Sequence, residues 1–395
     1  MYQTTYQPNT RLHVADALRG LAILGIILIH NVEHMNFYKF PEATNEWMIF
    51  FDKITWESVF FAFGGKMYSI FALMFGLSFF IQNDNQMQKG NDFTLRFMWR
   101  MVLLLIFGLI NTFFYNGDIF ISYAIFGMLM PFVGKLNTKT IAFITIFLLI
   151  QPIEIYQTVA ALFNPDYQLI NANSGKYFGL MSKTLETGSF WECGWSSLKN
   201  GQLATITWNI ENGRTTQLPG LFFLGMLLGR IRLFYHEKNN LKTWLGILTV
   251  ALLVFFPVYG LYNIIPDHIS RREILFPIQL LLKSWSNLSQ TILYVSLLVL
   301  LFYSIPLVQK LMMKLTNFGR SSMTNYFLQS ILGAILYYGW GFGLYRYCGP
   351  AISLLIGVGM VFIQYYFCRW WLKTHSHGPF EGLWKKLTWI KFRSA

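Results

Sequence analysis

The sequence is short of charged residues. Only 12% of its 395 residues are Asp, Glu, Lys or Arg, which is about half the fraction found in a typical soluble domain. Hydrophobic residues make up 54% of the chain, and the mean hydropathy is +0.41. This composition excludes an ordinary soluble enzyme and indicates a polytopic, all-α integral membrane protein.

Acidic residues are especially scarce. The chain has 18 Asp and Glu against 31 Lys and Arg, so its formal net charge is +13. The basic residues lie between apolar runs and not on one face, which argues against binding of nucleic acid. An excess of Lys and Arg in cytoplasmic loops accounts for the charge, and we expect no nucleic-acid partner.

Cysteine is rare, and a cleavage signal is absent. The three cysteines show neither a metal-binding spacing nor a disulfide framework. The first apolar run ends at His30 and Asn31, not at a small-residue cleavage site, so we expect it to remain as the first helix. His30 and His34 have the i, i+4 spacing of metal ligands, but no third ligand is evident, and we expect no metal.

Long stretches without charge predict about ten transmembrane helices in one membrane domain, residues 1–395. The longer stretches meet the requirement of about twenty residues, and the shorter ones need snorkelling flanks or a thin bilayer. After the first helix, at about 15–34, the predicted spans are 58–83 (interrupted by Lys66), 101–117, 119–134, 140–153, 215–229, 243–266, 284–309, 321–345 and 347–368.

The distribution of Lys and Arg predicts that both termini are cytoplasmic. Residues 154–214 then form an extracytoplasmic loop that we expect to fold into short helices as a cap. Residues 306–320 read as an amphipathic helix at the inner surface, and residues 374–395 as a cytoplasmic basic tail.

The first helix carries the most informative pattern, an arginine and a histidine separated by ten apolar or glycine residues. Arg19 and His30 would face the same direction, about 16 Å apart along the helix. His30 suits a general base, although a bond to a neighbouring helix would also account for it. Arg19 suits phosphate binding, although a simple i, i+3 pair with Asp16 would also account for it.

Other polar residues in apolar surroundings are further candidates, each with a structural alternative. Lys66 follows two glycines that can break a helix, so it either begins a helix or faces a polar cavity. Asp118 either caps the next helix or orients a reacting group. Arg100 and Asn111 repeat the spacing of Arg19 and His30, which suggests that both helices face one polar interior.

Late in the chain, Asn325 and Gln329 stand four residues apart, shortly after Arg320. They either line the same interior or bond one helix to another. The predicted substrate-binding residues are Asp16, Arg19, Lys66, Arg100, Arg320, Asn325 and Gln329.

Five blocks of the sequence resemble the YeiB family of bacterial inner-membrane proteins. They lie in the family's order at 16–26, 66–76, 117–124, 319–329 and 378–388. The last two, GRSSMTNYFLQ and GPFEGLWKKLT, are the most specific. The resemblance implies an integral protein of the bacterial cytoplasmic membrane.

The YeiB family is grouped by resemblance with the transmembrane acyltransferases, which include heparan-glucosaminide acetyltransferase and the bacterial O-antigen acetylases. The resemblance implies acyl-CoA as donor and an extracytoplasmic or lipid-linked glycan as acceptor. The O-antigen acetylases carry the same arginine, ten-residue, histidine spacing as Arg19 and His30. His30 would be catalytic, with Asp118 or Asn111 orienting its imidazole.

Two positions depart from the family's pattern. Relatives often have Asn where this chain has His30, and His where it has Asn111, which predicts that the two side chains face one cavity. The alternative function is a non-enzymatic transporter or lipid-handling protein, in which the polar residues bind substrate only. Expected partners are membrane lipid and a small-molecule or glycan acceptor, with a homodimer left open.

Overall fold

A computed structural model describes residues 11–42, 45–169 and 172–390. These residues form helices and connecting loops, and no strand occurs among them. The all-α prediction is therefore confirmed. In chain order the helices are α1 (His13–Val32), α2 (Glu46–Phe63), α3 (Lys66–Met87), α4 (Thr94–Thr112), α5 (Phe120–Gly127), α6 (Met130–Val133), α7 (Thr138–Leu149), α8 (Pro152–Phe163), α9 (Ser174–Thr187), α10 (Phe190–Ser196), α11 (Gln202–Glu211), α12 (Arg214–Arg230), α13 (Lys238–Ile264), α14 (Arg272–Ser304), α15 (Pro306–Arg320), α16 (Ser322–Tyr337), α17 (Pro350–Trp371) and α18 (Pro379–Thr388).

Within the described ranges, six helical segments are long and apolar enough to cross a membrane. A seventh results if α7 and α8, bent by 47° at Gln151, are counted as one span. The six are α1, α2 together with α3, α4, α13 with its short extension to Asp267, α14 and α17. Each of the ten predicted spans contains helix, but α5, α7, α12 and α16 are shorter than the roughly 20 residues of a full crossing. The count of ten stays a prediction.

The break between α2 and α3 lies at the paired glycines, as the sequence indicates. Gly65 has φ 76°, in the left-handed region that only glycine adopts without strain. A Cβ atom there would also lie 2.7 Å from the Nδ2 of Asn287 on α14. The chain therefore changes direction at Gly65, and Lys66 becomes the first residue of α3.

Helix α1 lies at the centre, packed against α3, α15, α16 and α17. Its small residues allow the close approach that membrane helices use in place of hydrophobic association. A Cβ atom on Gly20 would collide with the backbone oxygen of Leu315, and one on Gly319 would collide with that of Asp16. The predicted helix 306–320 is therefore found as α15, with one face packed on the first half of α1.

We call the end of the bundle where α1 begins the basal end, and the end where α1 finishes the distal end. The distal end is covered by α9, α10 and α11, three short helices within the predicted loop 154–214. Gln202 donates a hydrogen bond to Thr112 at 2.6 Å, and Thr205 donates to the carbonyl of Asn116 at 2.7 Å. These bonds fix the cap over the turn that follows α4.

The described part of the predicted basic tail, 374–390, packs on protein at the basal end. Its helix α18 contacts α4 and α16. Arg96 and Trp99 of α4 donate hydrogen bonds to the last carbonyls of the α18 segment, which include those of Leu387 and Thr388. Residues 391–395 lie outside the described part of the chain.

Candidate functional site

A cavity of about 250 Å³ opens at the basal end between α1, α3, α4, α16 and α18. Phenylalanines of α3, α4 and α5 supply much of its apolar lining, and α1, α4, α15 and α18 contribute charged side chains. The charged lining residues are four arginines and two carboxylates: Arg11, Arg19, Arg100, Arg320, Asp16 and Glu381. Four of the predicted substrate-binding residues, on three different helices, therefore meet in one cavity.

Asp16 and Arg19 form the paired side of this cavity. The Asp16 carboxylate accepts hydrogen bonds from Nε of Arg11 at 2.6 Å and from Nη1 of Arg19 at 2.7 Å. The second amine of Arg19 donates to the Ser78 hydroxyl at 2.5 Å. The i, i+3 pair expected as the structural alternative is therefore present, and it also holds the Arg19 guanidinium against α3, in the cavity wall.

Arg100 and Arg320 form the unpaired side. Neither makes an ion pair with a described carboxylate, and the Nε of each is buried without a hydrogen-bond partner among the described residues. The Arg100 guanidinium carbon lies 4.0 Å from the centre of the Trp384 ring, and Arg320 donates to the carbonyl of Ser376 at 2.8 Å. These contacts orient two arginines in a pocket where their charge remains available to an anion.

Glu381 joins α18 to the start of α16. Its carboxylate accepts hydrogen bonds from the backbone N–H groups of Met323 and Thr324 at 2.6 and 3.0 Å, and from the Thr324 hydroxyl at 2.6 Å. Burial raises the pKa of Glu381, and the bonds from Thr324 act in the opposite direction. A carboxylate from another helix thus caps α16 and complements its positive end.

A second polar cluster lies at the other end of α1, around His30. The Nε2 of His30 lies 3.1 Å from the hydroxyl of Tyr115, and its ring centre lies 6.3 Å from that of Tyr326. The Gln329 amide lies beside the imidazole. Within the described ranges, Nδ1 of His30 and both polar atoms of Gln329 are buried without a partner of ordinary hydrogen-bond geometry. Such unmet capacity is rare in buried groups and marks a place for a ligand or water.

Asn111 and Asp118 complete this cluster. The Asn111 amide donates to one oxygen of Asp118 at 2.6 Å, and the other oxygen accepts the backbone N–H of Phe120 at 2.8 Å. Asp118 therefore does cap the next helix, as its structural alternative requires, while its second oxygen holds Asn111. Tyr115 connects Asn111 with His30. Its backbone N–H donates a hydrogen bond to the Asn111 carbonyl at 3.0 Å, and its hydroxyl contacts His30.

An aromatic layer separates the cavity from the His30 cluster. Phe120 lines the cavity, and its ring centre lies 4.5 Å from that of Tyr326 and 5.9 Å from that of Phe327. The Tyr326 hydroxyl faces away from the cavity and accepts the backbone N–H of Ile119 at 3.2 Å. Phe120 and Tyr326 therefore lie between the cavity lining and His30.

Two predicted site residues lie elsewhere. Asn325 donates to the carbonyl of Phe318 at 3.0 Å and accepts from the Cys368 thiol at 3.2 Å, so it bonds helix to helix. Lys66 is buried on the far side of α3, where its Nζ lies 3.4 Å from the carbonyl of Phe60. Of the i, i+4 pair on α16, only Gln329 therefore faces the cluster.

His34 has a structural environment. Its Nε2 lies 2.7 Å from the Ser353 hydroxyl, its Nδ1 lies 2.8 Å from the carbonyl of Lys39, and its ring stacks on Tyr337. Across the described part of the chain, no three His, Cys, Asp or Glu side chains are arranged to hold a metal ion.

Several residues of the site escape sequence reasoning. Tyr115 and Tyr326 look like ordinary membrane aromatics, because nothing in a single sequence shows which tyrosine turns inward. Glu33 is also buried beside this cluster and accepts a hydrogen bond from Tyr38 at 2.7 Å. Its position, three residues after His30, is the signal that points to it. Glu381 stands within the GPFEGLWKKLT block.

The chain is similar to several known proteins. Residues 228–391 match DUF418, a family described as a protein of unknown function. The uncharacterized protein YxaH of Bacillus subtilis (strain 168) is 25% identical, with 98% of this chain and 96% of the relative covered. The uncharacterized protein YeiB of Escherichia coli (strain K12) is also 25% identical, with 94% and 95% covered.

The chain is thus similar to YeiB and YxaH over nearly its whole length. An uncharacterized 39.9 kDa protein of Bacillus acidopullulyticus is similar to the same extent, at 24% identity over 96% of this chain and 94% of its own. The matched segment 228–391 supplies Arg320, Tyr326, Gln329 and Glu381 to the two sites. The remaining site residues come from the preceding part, which aligns with the full-length relatives.

Proposed function

We propose that the protein is a transmembrane acyltransferase that moves an acyl group from cytosolic acyl-CoA to a hydroxyl or amine on the other side of the membrane. The observation that carries the proposal is the set of unpartnered polar atoms of His30 and Gln329, placed behind a cavity lined with arginines. The cavity suits the phosphates of CoA because Arg100 and Arg320 keep unpaired donors there. The acceptor class implied by the family resemblance, an extracytoplasmic or lipid-linked glycan, is part of the same proposal.

In the proposed reaction, acyl-CoA enters from the basal end and its extended arm passes Phe120 and Tyr326. The thioester then lies between His30 and Gln329, about 16 Å above the level of Arg19 along α1. The small basal cavity, below the roughly 300–1,000 Å³ of sites that enclose a drug-sized ligand, would hold the phosphates and leave the adenosine outside. This arrangement gives a reason for the separation of charged and neutral polar groups along one helix.

His30 acts as the general base. If its Nε2–H donates to the Tyr115 hydroxyl, then Nδ1, the atom without a partner, carries the free lone pair. Nδ1 takes the proton of the acceptor while the acceptor oxygen or nitrogen bonds to the thioester carbon. The carbon–sulfur bond breaks, and the imidazolium returns the proton to the CoA thiolate. The Gln329 amide N–H group would stabilise the oxyanion formed between these steps.

The test is release of CoA from acetyl-CoA by purified protein in nanodiscs, with a panel of hydroxyl and amine acceptors. His30→Ala should lower kcat by about 10²- to 10⁴-fold, the contribution of a general base. His268→Ala, which changes an exposed histidine of the loop after α13, is the matched control and should leave the rate unchanged. Equal CoA release by wild type and His30→Ala with every acceptor would overturn the mechanism.

A second candidate, a non-enzymatic transporter or lipid-handling protein, is favoured by the aromatic layer, because Phe120 and Tyr326 close the cavity from the His30 cluster. A transporter would carry its cargo past this layer without chemistry. Movement of a labelled lipid across a proteoliposome membrane, together with no consumption of thioester, would favour this candidate.

The membrane location of the protein is part of the same proposal. We propose that the chain lies in the bacterial cytoplasmic membrane with both termini in the cytoplasm, as the Lys and Arg distribution supports. The basal cavity then faces cytosolic acyl-CoA. Cysteine accessibility at Lys183→Cys and Lys238→Cys, at opposite ends of the bundle, tests this orientation with an impermeant reagent.

A further inference from the structure

Three cations meet in the distal half of the molecule, away from both sites described above. They are Lys66, the first residue of α3; Arg214, the first residue of α12; and Lys283, on α14. Gln217 brings Arg214 and Lys283 together, because it accepts a hydrogen bond from Arg214 and donates one to Ser284, the residue after Lys283. Asn287, one turn further along α14, lies against Gly65, the residue before Lys66. None of the three forms an ion pair with a carboxylate in the described part of the chain.

Like charges in an apolar protein environment are costly without a counter-charge. Lys66 is only 5% exposed, and its Nζ has one neighbouring acceptor, the Phe60 carbonyl at 3.4 Å. Lys283 is exposed on the flank of α14. The three-cation cluster therefore runs from a buried charge to the exposed surface of α14, a helix long and apolar enough to cross a membrane.

The surroundings of the three-cation cluster hold the planar guanidinium of Arg214 in one orientation. The Arg214 guanidinium lies 4.3 Å from the centre of the Tyr68 ring and 5.7 Å from that of Trp208, and one amine donates to Gln217 at 2.7 Å. These contacts hold the guanidinium in place. Trp208 belongs to α11, so the cap closes over Arg214.

Neutral polar groups lie beside the charges. The Gln217 amide donates to the Ser284 hydroxyl at 2.8 Å, and Asn287 lies against Gly65. The Tyr68 hydroxyl is buried and makes no hydrogen bond of ordinary geometry with the described residues. Cationic, amide and hydroxyl donors thus lie together. The Glu154 carboxylate lies beside Gly213, the residue before Arg214, but among the described residues it forms no ion pair with any of the three cations.

We propose that Lys66, Arg214 and Lys283 bind a phosphate group, reached laterally from the membrane past Lys283. A phosphate offers several oxygens to converging cationic donors, and Arg and Lys are the side chains that recognise it. Solvent exposure decreases from Lys283 to Lys66, which suits a lipid headgroup that enters from the side. This site does not depend on the acyltransferase proposal, because it shares no residue with the His30 cluster or the arginine cavity.

The test measures binding of phosphatidylglycerol, phosphatidylcholine and inorganic phosphate to the full chain in dodecyl maltoside, by native mass spectrometry and thermal shift. Phosphatidylglycerol should bind to wild type at least tenfold more tightly than phosphatidylcholine. Arg214→Gln and Lys283→Gln should each weaken it about tenfold, the effect of one charge-assisted contact. Lys183→Gln, an exposed lysine of the cap, makes the same charge change as a control.

The variants also identify the source of the phosphate. If inorganic phosphate alone stabilises wild type, and Arg214→Gln removes that effect, the phosphate chemistry is supported with a soluble ligand. Lys283→Arg should keep binding, which separates loss of charge from misfolding, and exposed Lys283 decides the result if Arg214→Gln does not fold. The proposal is overturned if neither probe distinguishes Lys283→Gln from Lys183→Gln.

Discussion

The two ends of α1 differ in how their polar side chains are bonded. At the basal end, Asp16 and Arg19 form an ion pair that is partly open to a cavity. At the distal end, His30 and Gln329 keep buried polar atoms that make no hydrogen bond of ordinary geometry with the described residues. Satisfied groups alone can hold a bundle together, so the unsatisfied ones point to a ligand or water between them.

This difference assigns separate tasks to the two ends. The basal end suits the binding of an anion, because its charges are oriented before a ligand arrives. The distal end suits a step in which protons move, because its groups can both donate and accept. Phe120 and Tyr326 keep the two apart, and variants at each end should therefore change different quantities.

The largest effect on stability should come from removing the layer between the two ends. Phe120→Ala deletes a buried ring that contacts Tyr326 and Phe327, and we expect a loss of about 3 kcal/mol in the free energy of unfolding. Acetyl-CoA should then be hydrolysed faster without acceptor, because water and thioester reach His30 more easily.

Thermal unfolding in detergent and CoA release without acceptor measure the two consequences. Phe143→Ala, which removes an exposed ring of α7, is the control and should change neither quantity much. A Phe120→Ala protein that is as stable as wild type and shows unchanged hydrolysis would contradict the role of the layer.

The next effect, about tenfold, concerns binding at the basal end. Arg320→Gln removes a guanidinium from the cavity and should raise the KM for acyl-CoA about tenfold, or about 1.4 kcal/mol, while kcat is unchanged. Arg96→Gln is a matched control outside the cavity, since Arg96 bonds the carbonyls that end α18. A fall in kcat at constant KM in Arg320→Gln would reverse the assignment of the two ends.

Much of this comparison could be predicted from the sequence. The scarcity of charge predicts the membrane fold, and the Arg19 and His30 spacing predicts two polar ends on one helix. The break at Gly65 is equally readable, because paired glycines within an apolar run are typical of a kinked or broken helix. The family resemblance brings Arg320 and Glu381 into consideration before any contact is known.

The remainder depends on packing that one sequence does not encode locally. Asn325 and Gln329 look equivalent at i, i+4 on one helix, yet only Gln329 faces His30, because Asn325 is turned toward Phe318 and Cys368. The four short helices are predicted as spans from their apolar character, but their length is set by neighbouring helices. The layer of Phe120 and Tyr326 brings together residues about two hundred positions apart.

The smallest expected effect is on the pH dependence of stability, and it arises at the basal end. His377, in the basal segment before α18, has its pKa lowered by burial and by the nearby charges of Lys385 and Arg320. Because the folded state disfavours the protonated imidazole, stability should fall as the pH drops through its unfolded pKa of about 6.5. The loss should stay below about 1 kcal/mol, since His377 is only partly buried and solvent screens its charge.

Unfolding of wild type and His377→Gln between pH 5 and 8 measures this effect. The variant should lose part of the decline below about pH 6.5, whereas His268→Gln should keep all of it, because the neighbours that disfavour a charged imidazole lie at the basal end. If His377→Gln leaves the whole decline in place, then the acid sensitivity belongs to other groups, and the basal cations do not repel an additional charge as their unpaired state implies.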